Sequence, residues 1–156
     1  MKAVTEQCAA GTLRRAARSI ARVYDGRLAS VHLTTTQFSI LRALERHGTA
    51  VPLSDLAEEL VFERTSLYRA LEPMRREGLV ALSLGLGRAK QVALTPGGIR
   101  RIAQAMPHWT TAQETFVAHF GRSEWSRLAS QLVEIVGIAR GMPLEAQSPI
   151  VPRSRR

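Results

Sequence analysis

The stretch "ERTSLYRALEPMRREGLV", Glu63 to Val80, carries a proline inside what otherwise reads as one amphipathic helix. Leu67, Leu71 and Met74 recur at helical spacing and predict a buried stripe, with Thr65, Ser66, Tyr68, Arg69 and Arg76 on the faces away from it. Pro73 removes one helical N–H and leaves the carbonyl of Arg69 without its partner, at a cost of about 3 kcal/mol in a helix interior. The stripe continues from Leu71 to Met74 across it, so a kinked helix is expected rather than two helices. Gly78 stops the helix.

On the C-terminal side, the β-rich runs "LVALSL" and "KQVAL" flank "GLGR", a hairpin pattern. "TPGG" then opens a helix with Thr95 as cap and Pro96 at its first position. That helix runs through Ile99, Ile102 and Met106, meets Pro107, and continues through Trp109, Phe116, Val117 and Phe120. Gly121 separates it from a last helix carrying Trp125, Leu128, Leu132, Ile135 and Val136. On the N-terminal side, "TAVPLSDLAEEL" supplies Pro52 as breaker and Ser54 as N-cap of a short helix. "HLTTTQFSIL" and "RHG" bound a helix between threonine caps and Gly48. Residues from about 5 to 29 read as a long amphipathic helix through Leu13, Ile20, Val23, Tyr24 and Leu28. The fold class expected is mainly α with a small β-hairpin wing: a winged helix-turn-helix flanked by further helices. The segment 141–156, proline-rich, polar and without periodicity, is expected to be a flexible tail.

A chain of 156 residues, 45% hydrophobic and 22% charged, has a globular composition. No apolar run reaches membrane-spanning length, and the N-terminus lacks an apolar core before a small-residue cleavage site, so a cytoplasmic protein is expected. The single cysteine, Cys8, excludes an intramolecular disulfide framework. The net charge is +9 and arginine dominates the cations, which favours a polyanionic partner. Residues 51–95 nevertheless hold six basic and six acidic side chains, with Asp55, Glu58 and Glu59 early and Arg64, Arg69, Arg75, Arg76, Arg88 and Lys90 later. Placement rather than net charge therefore decides the binding face. The four histidines are scattered without metal-ligand spacing, no nucleophile–base arrangement stands out, and "GLG" is too short for a phosphate loop. No metal, no cofactor and no enzymatic activity is expected.

The landmarks "LTTTQFSILRAL", "LSDLAEEL", "RTSLYRALEPMRREGLV" and "VALTPGG", in this order and spacing, resemble the MarR family of bacterial transcriptional regulators from about residue 10 to 140. The resemblance implies one domain over residues 1–140, with a winged helix-turn-helix at about 34–95 and dimerisation helices at about 5–30 and 96–140. It implies a homodimer on a pseudo-palindromic operator in double-stranded DNA, a repressor released by a small effector, often an aromatic acid. Two positions depart from the family pattern: Leu86 stands where the wing usually has an aspartate paired with the arginine at Arg88, and Tyr68 stands where a small hydroxyl residue is more common.

The residues expected at DNA are Ser54, Arg64, Thr65, Ser66, Tyr68, Arg69 and Arg75 from the helix-turn-helix, with Arg88 and Lys90 from the wing. An aromatic carboxylate needs an apolar slot and one or two cationic donors, and Arg14, Arg18, Tyr24, His32, His108 and Trp109 are the effector-binding set expected to supply them. Cys8 raises a redox-sensing alternative, and a non-specific architectural DNA binder is the other. In the peroxide-sensing members of the family the reactive cysteine falls at Ala10 and its tyrosine partner at Thr35; a two-residue shift turns a side chain by about 200° around a helix.

Overall fold

The computed structural model describes residues 8–142, so the tail expectation falls, from residue 143 on, outside the described residues. The order is α1 (Ala9–Leu28), α2 (Thr35–His47), β1 (Val51–Pro52), α3 (Leu53–Glu59), α4 (Arg64–Arg76), β2 (Val80–Leu84), β3 (Lys90–Leu94), α5 (Pro96–Phe120) and α6 (Arg122–Gly141). The mainly helical fold with a hairpin wing is thus as expected. The chain divides into two compact units, the first running to Thr115 and the second beginning at Phe116.

The core of the first unit gathers the apolar stripes of α2, α3, α4 and α5 with the inner residues of the strands. Ile40, Leu41, Leu56, Leu67, Leu71, Met74 and Val92 are fully buried in it. α4 runs unbroken through Pro73. The proline lies in the helix's last turn, and the residue whose carbonyl it orphans, Arg69, is exposed, so water can satisfy that group.

Local chemistry explains the helix ends. Thr34 caps α2 through its hydroxyl, which accepts from the Gln37 N–H at 3.2 Å, while the Gln37 side chain accepts from the Thr34 N–H at 2.9 Å. Asp25 reaches across from α1 and accepts from both the Thr35 N–H and its hydroxyl at 2.6 Å. α4 closes with a paired cap, Leu79 N–H to the Met74 carbonyl and Gly78 N–H to the Arg75 carbonyl, around Gly78 at φ +70°. The same pair of bonds ends α3 around Val61 (φ +56°), and the short 3₁₀ turn after α1 around His32 (φ +54°). Valine in that conformation is strained by its branched Cβ.

Two sequence expectations are corrected. Ser54 does not cap α3: Pro52 holds that position, Ser54 lies inside the helix, and its hydroxyl donates to Asp55 at 2.9 Å. The stretch before it also forms a strand, β1, which pairs antiparallel with β3 through Val51↔Val92 and Pro52↔Gln91. The sheet order is therefore β1-β3-β2, with β3 and β2 in register from Val80↔Leu94 to Leu84↔Lys90. The capping of α5 is as expected: the Thr95 hydroxyl accepts from the Gly98 N–H at 3.0 Å and donates to the Gly78 carbonyl at 2.6 Å.

α2 is tied to α3 by polar contacts. His47 Nε2 faces Glu59 at 2.7 Å and Arg46 donates to it at 2.6 Å. Hydrogen bonding from His47 first, and Arg46 next, holds the Glu59 carboxyl below its ordinary 4.5. A depressed carboxylate contributes stability above its unfolded value and loses it as pH falls through the folded one. The tie is therefore expected to weaken on acidification below about pH 4.5. Glu59→Gln is expected to flatten part of the acid limb in urea melts taken across roughly pH 3 to 7. Superimposable wild-type and variant curves would contradict this.

In the second unit, Phe116 stacks on Phe120 at 5.7 Å and meets Trp125 edge-on at 5.5 Å, around the Gly121 break (φ +103°). α6 carries no buried residue.

Candidate nucleic-acid interface

α4 is anchored by one stripe and free on the others. With Leu67, Leu71 and Met74 wholly buried, helical geometry turns Thr65, Ser66, Tyr68 and Arg69 outward, and all four are exposed, as is Arg64. Glu63 precedes the helix without a side-chain cap, and the first intrahelical bond is that from the Leu67 N–H to the Glu63 carbonyl. The first-turn N–H groups of Arg64, Thr65 and Ser66 therefore sit at the positive end of the helix dipole, a favourable place for phosphate.

The arginines on α4 differ. Arg69 makes no ion pair with any described side chain. Arg75 donates twice to Glu72, at 2.7 and 3.1 Å. That pair holds the Glu72 carboxyl below, and the Arg75 guanidinium above, their ordinary values, in each case chiefly through the hydrogen bond. Arg75 is thus already engaged with an acid one turn away, whereas Arg69 is available.

The wing tip between β2 and β3 is closed by backbone bonds, Gly85 N–H to the Ala89 carbonyl at 2.8 Å and Arg88 N–H to the Gly85 carbonyl at 3.2 Å. Arg88 is exposed and adopts φ +63°. Lys90 does not stand free: its ammonium lies 4.5 Å from the centroid of the Tyr68 ring. Nothing in the sequence pattern joins these two residues; the fold does.

The six effector candidates are not brought together. His32 and His108 share a shallow cavity with Ser30, Val31, Arg101 and Gln104, where Arg101 donates to the Val31 carbonyl at 3.1 Å. Trp109 lines a different cavity of about 400 Å³ with Phe38, Ser39, Arg42, Arg46 and Leu60. Tyr24 is buried and its hydroxyl donates to Gln113, and burial pushes its pKa up. Arg14 and Arg18 are exposed on α1 and line neither cavity. His32 has a structural reason to be where it is, the left-handed cap position. Phe38, Arg42 and Arg46 escaped the sequence reading although their four-residue spacing places them on one face of α2.

Cys8 is exposed at the start of α1. Thr35, at the position of the sensing tyrosine, has its hydroxyl committed to Asp25. Among the described residues no group of His, Cys, Asp and Glu is arranged to hold a metal ion, and no helix is long and apolar enough to cross a membrane.

No protein-family model and no curated protein matches the chain. Solved structures do. The M. tuberculosis transcriptional regulator MosR, solved in complex with DNA, is 36% identical over 88% of this chain and 100% of its own, with a TM-score of 0.80. The ligand-free organohalide-sensing transcriptional regulator RdhR is 19% identical over the whole of both chains, with a TM-score of 0.76. A MarR-family transcriptional regulator from Rhodococcus sp. RHA1 is 17% identical over 87% of this chain and 98% of its own, with a TM-score of 0.74. These are transcriptional regulators rather than enzymes. By its winged helix-turn-helix and its 36% identity to MosR over 88% of the chain, the protein belongs to the MarR family of transcriptional regulators.

Proposed function

We propose that the chain is a sequence-specific DNA-binding repressor, acting in the cytoplasm as a homodimer on a pseudo-palindromic operator and released by a small aromatic-acid effector. The observation that carries this reading is the division of α4, with Leu67, Leu71 and Met74 fully buried and Thr65, Ser66, Tyr68 and Arg69 exposed. A helix fixed by its apolar stripe and offering hydroxyls, a phenol and an unengaged guanidinium on its first turns suits the major groove. The DNA complex of MosR supports the same partner.

The dimer is supported by apolar side chains left in the open on one face of α6, where Ile135 and Ile138 recur one turn apart and are 42% and 65% exposed. An apolar surface of this kind is a mark of protein association. Residues 1–140 then act as one functional domain, with helices at about 5–30 and 96–140 serving the dimer and about 34–95 reading DNA. The effector is assigned to the cavity of about 400 Å³ lined by Phe38 and Trp109, whose rings pack on each other with centroids 6.1 Å apart. Its size suits a small ligand. Arg42 and Arg46 are its cationic donors, each now paired with a carboxylate, Glu45 and Glu59, that a ligand carboxylate would replace.

Gel-shift titration tests the reading, with the duplex upstream of the chain's own gene compared with a scrambled one across salt. A steep salt slope and a specificity ratio of about 10³ or more are expected. Adding benzoate is expected to weaken binding by the wild type and to leave Arg42→Gln unaffected. Equal affinity for both duplexes at every salt would favour the non-specific architectural binder instead.

A further inference from the structure

Lys90 opens β3 opposite Leu84, the last ladder pair before the tip 85–89, and Tyr68 projects from α4 beside Arg69. The lysine ammonium lies 4.5 Å from the ring centroid, within the range where the negative face of a phenol ring attracts a cation. We propose that Tyr68 is the positioning residue of the wing: its ring holds the Lys90 ammonium against α4, fixes the wing tip relative to the reading helix, and presents the ammonium to a DNA phosphate.

The chemistry allows both tasks together. An ammonium carries three N–H donors, and one resting on a ring face keeps donors directed outward for a phosphate. A lysine free in solvent gives up its rotamer freedom when it meets DNA; one already lodged on a ring has given up part of it beforehand. The tip has, among its described side chains, no hydrogen bond, ion pair or ring contact to α4. Its backbone bonds, Gly85 to Ala89 and Arg88 to Gly85, close the loop on itself and do not reach α4. Position 86, where the family pattern places an acid beside the wing arginine, holds leucine. The two departures from that pattern thereby acquire one explanation: an aromatic ring at 68 supplies a hold on the wing that a small hydroxyl residue cannot, in a chain that lacks the acid at 86.

This inference rests on the proposed DNA-reading function, and the test separates the two. In the full chain without DNA, the Lys90 side-chain methylene protons, assigned by their loss in Lys90→Arg, are expected upfield in ¹H–¹³C spectra through the Tyr68 ring current. They are expected to stay there in Tyr68→Phe and to return to ordinary lysine positions in Tyr68→Leu. DNA binding is then measured on a duplex enriched by the wild-type protein from a random-sequence pool. Tyr68→Leu and Lys90→Met are each expected to lose about tenfold in affinity, roughly threefold at each of two half-sites. The double variant is expected to lose no more than either alone. The log–log salt slope is expected to fall by about 2 in Lys90→Met, one phosphate per half-site. It is expected to fall equally in Tyr68→Leu, although that variant removes no charge. Losses that multiply, an unchanged slope in Tyr68→Leu, or ordinary lysine shifts in the wild type each overturn the proposal. A pool that yields no enriched duplex overturns the DNA-reading function and the phosphate role with it, and is recognised by ring-current shifts that remain intact.

Discussion

Arg69→Ala is expected to weaken specific operator binding by about 2–6 kcal/mol while leaving fold and dimer intact. A good bidentate contact between arginine and guanine is worth about 1–3 kcal/mol, and a two-fold dimer makes it twice. The side chain is exposed and has no carboxylate partner among the described residues, so truncation strands no buried group and the melting temperature stays within the scatter of surface variants. Arg88→Ala is expected to lose less. Its expected contribution is a phosphate contact from the wing, whose loss lowers the salt slope by about 0.9 per half-site rather than changing base preference. Titrations on operator and scrambled duplexes, with size-exclusion chromatography for the dimer, separate the two variants. Equal and mild losses would mean that the reading face of α4 lies elsewhere.

Gly98→Ala is expected to destabilise the fold, at the upper end of the ~1–3 kcal/mol typical of overpacking. In the first turn of a helix the exchange ordinarily gains about 0.5–1 kcal/mol, so the sign is the test. A Cβ on Gly98 would fall 2.3 Å from the Leu79 carbonyl oxygen and 2.6 Å from Leu94 Cδ1. Leu79 has little room to retreat. Its N–H closes the α4 cap and its carbonyl accepts from the Thr95 N–H at 3.2 Å, so yielding there disturbs α4, the wing base and α5 together. Gly26→Ala in α1 serves as the control, because nothing lies within 4 Å of its added Cβ and the usual gain is expected. At this chain length each kcal/mol moves the melting temperature by about 2–4 °C. Two variants that shift it in the same direction would refute the close-approach argument.

The elements legible in the sequence are those whose residues speak locally. Leu67, Leu71 and Met74 declare the buried stripe of α4, the threonines the start of α2, and Gly48, Gly78 and Gly121 the breaks. The cap positions at His32 and Val61 are hidden in the sequence, because glycine is the usual mark of such a cap and neither residue is glycine. β1 was missed because a two-residue strand has no periodicity to read, and its pairing with β3 is decided far along the chain. Ser54 misled for a related reason: with Pro52 fixing the backbone, the helix begins one residue before the hydroxyl. The outward residues of α4 were readable from the same period that revealed the stripe. The hold of Tyr68 on Lys90, and the slot lined by Phe38, Arg42, Arg46 and Trp109, required the fold, since each joins side chains from separate segments.

One consequence of β1 concerns what the sheet cannot do. Its outer strand is two residues long and ends in Pro52, which has no N–H to offer an arriving chain. A passing extended segment finds too little ladder on that side to zip onto, and the rim is sealed against recruitment. The opposite rim, β2, is five residues long and leads directly into the tip. Growth by strand addition is thereby discouraged on one flank, and self-association falls to the helices, where apolar side chains stand ready for a partner.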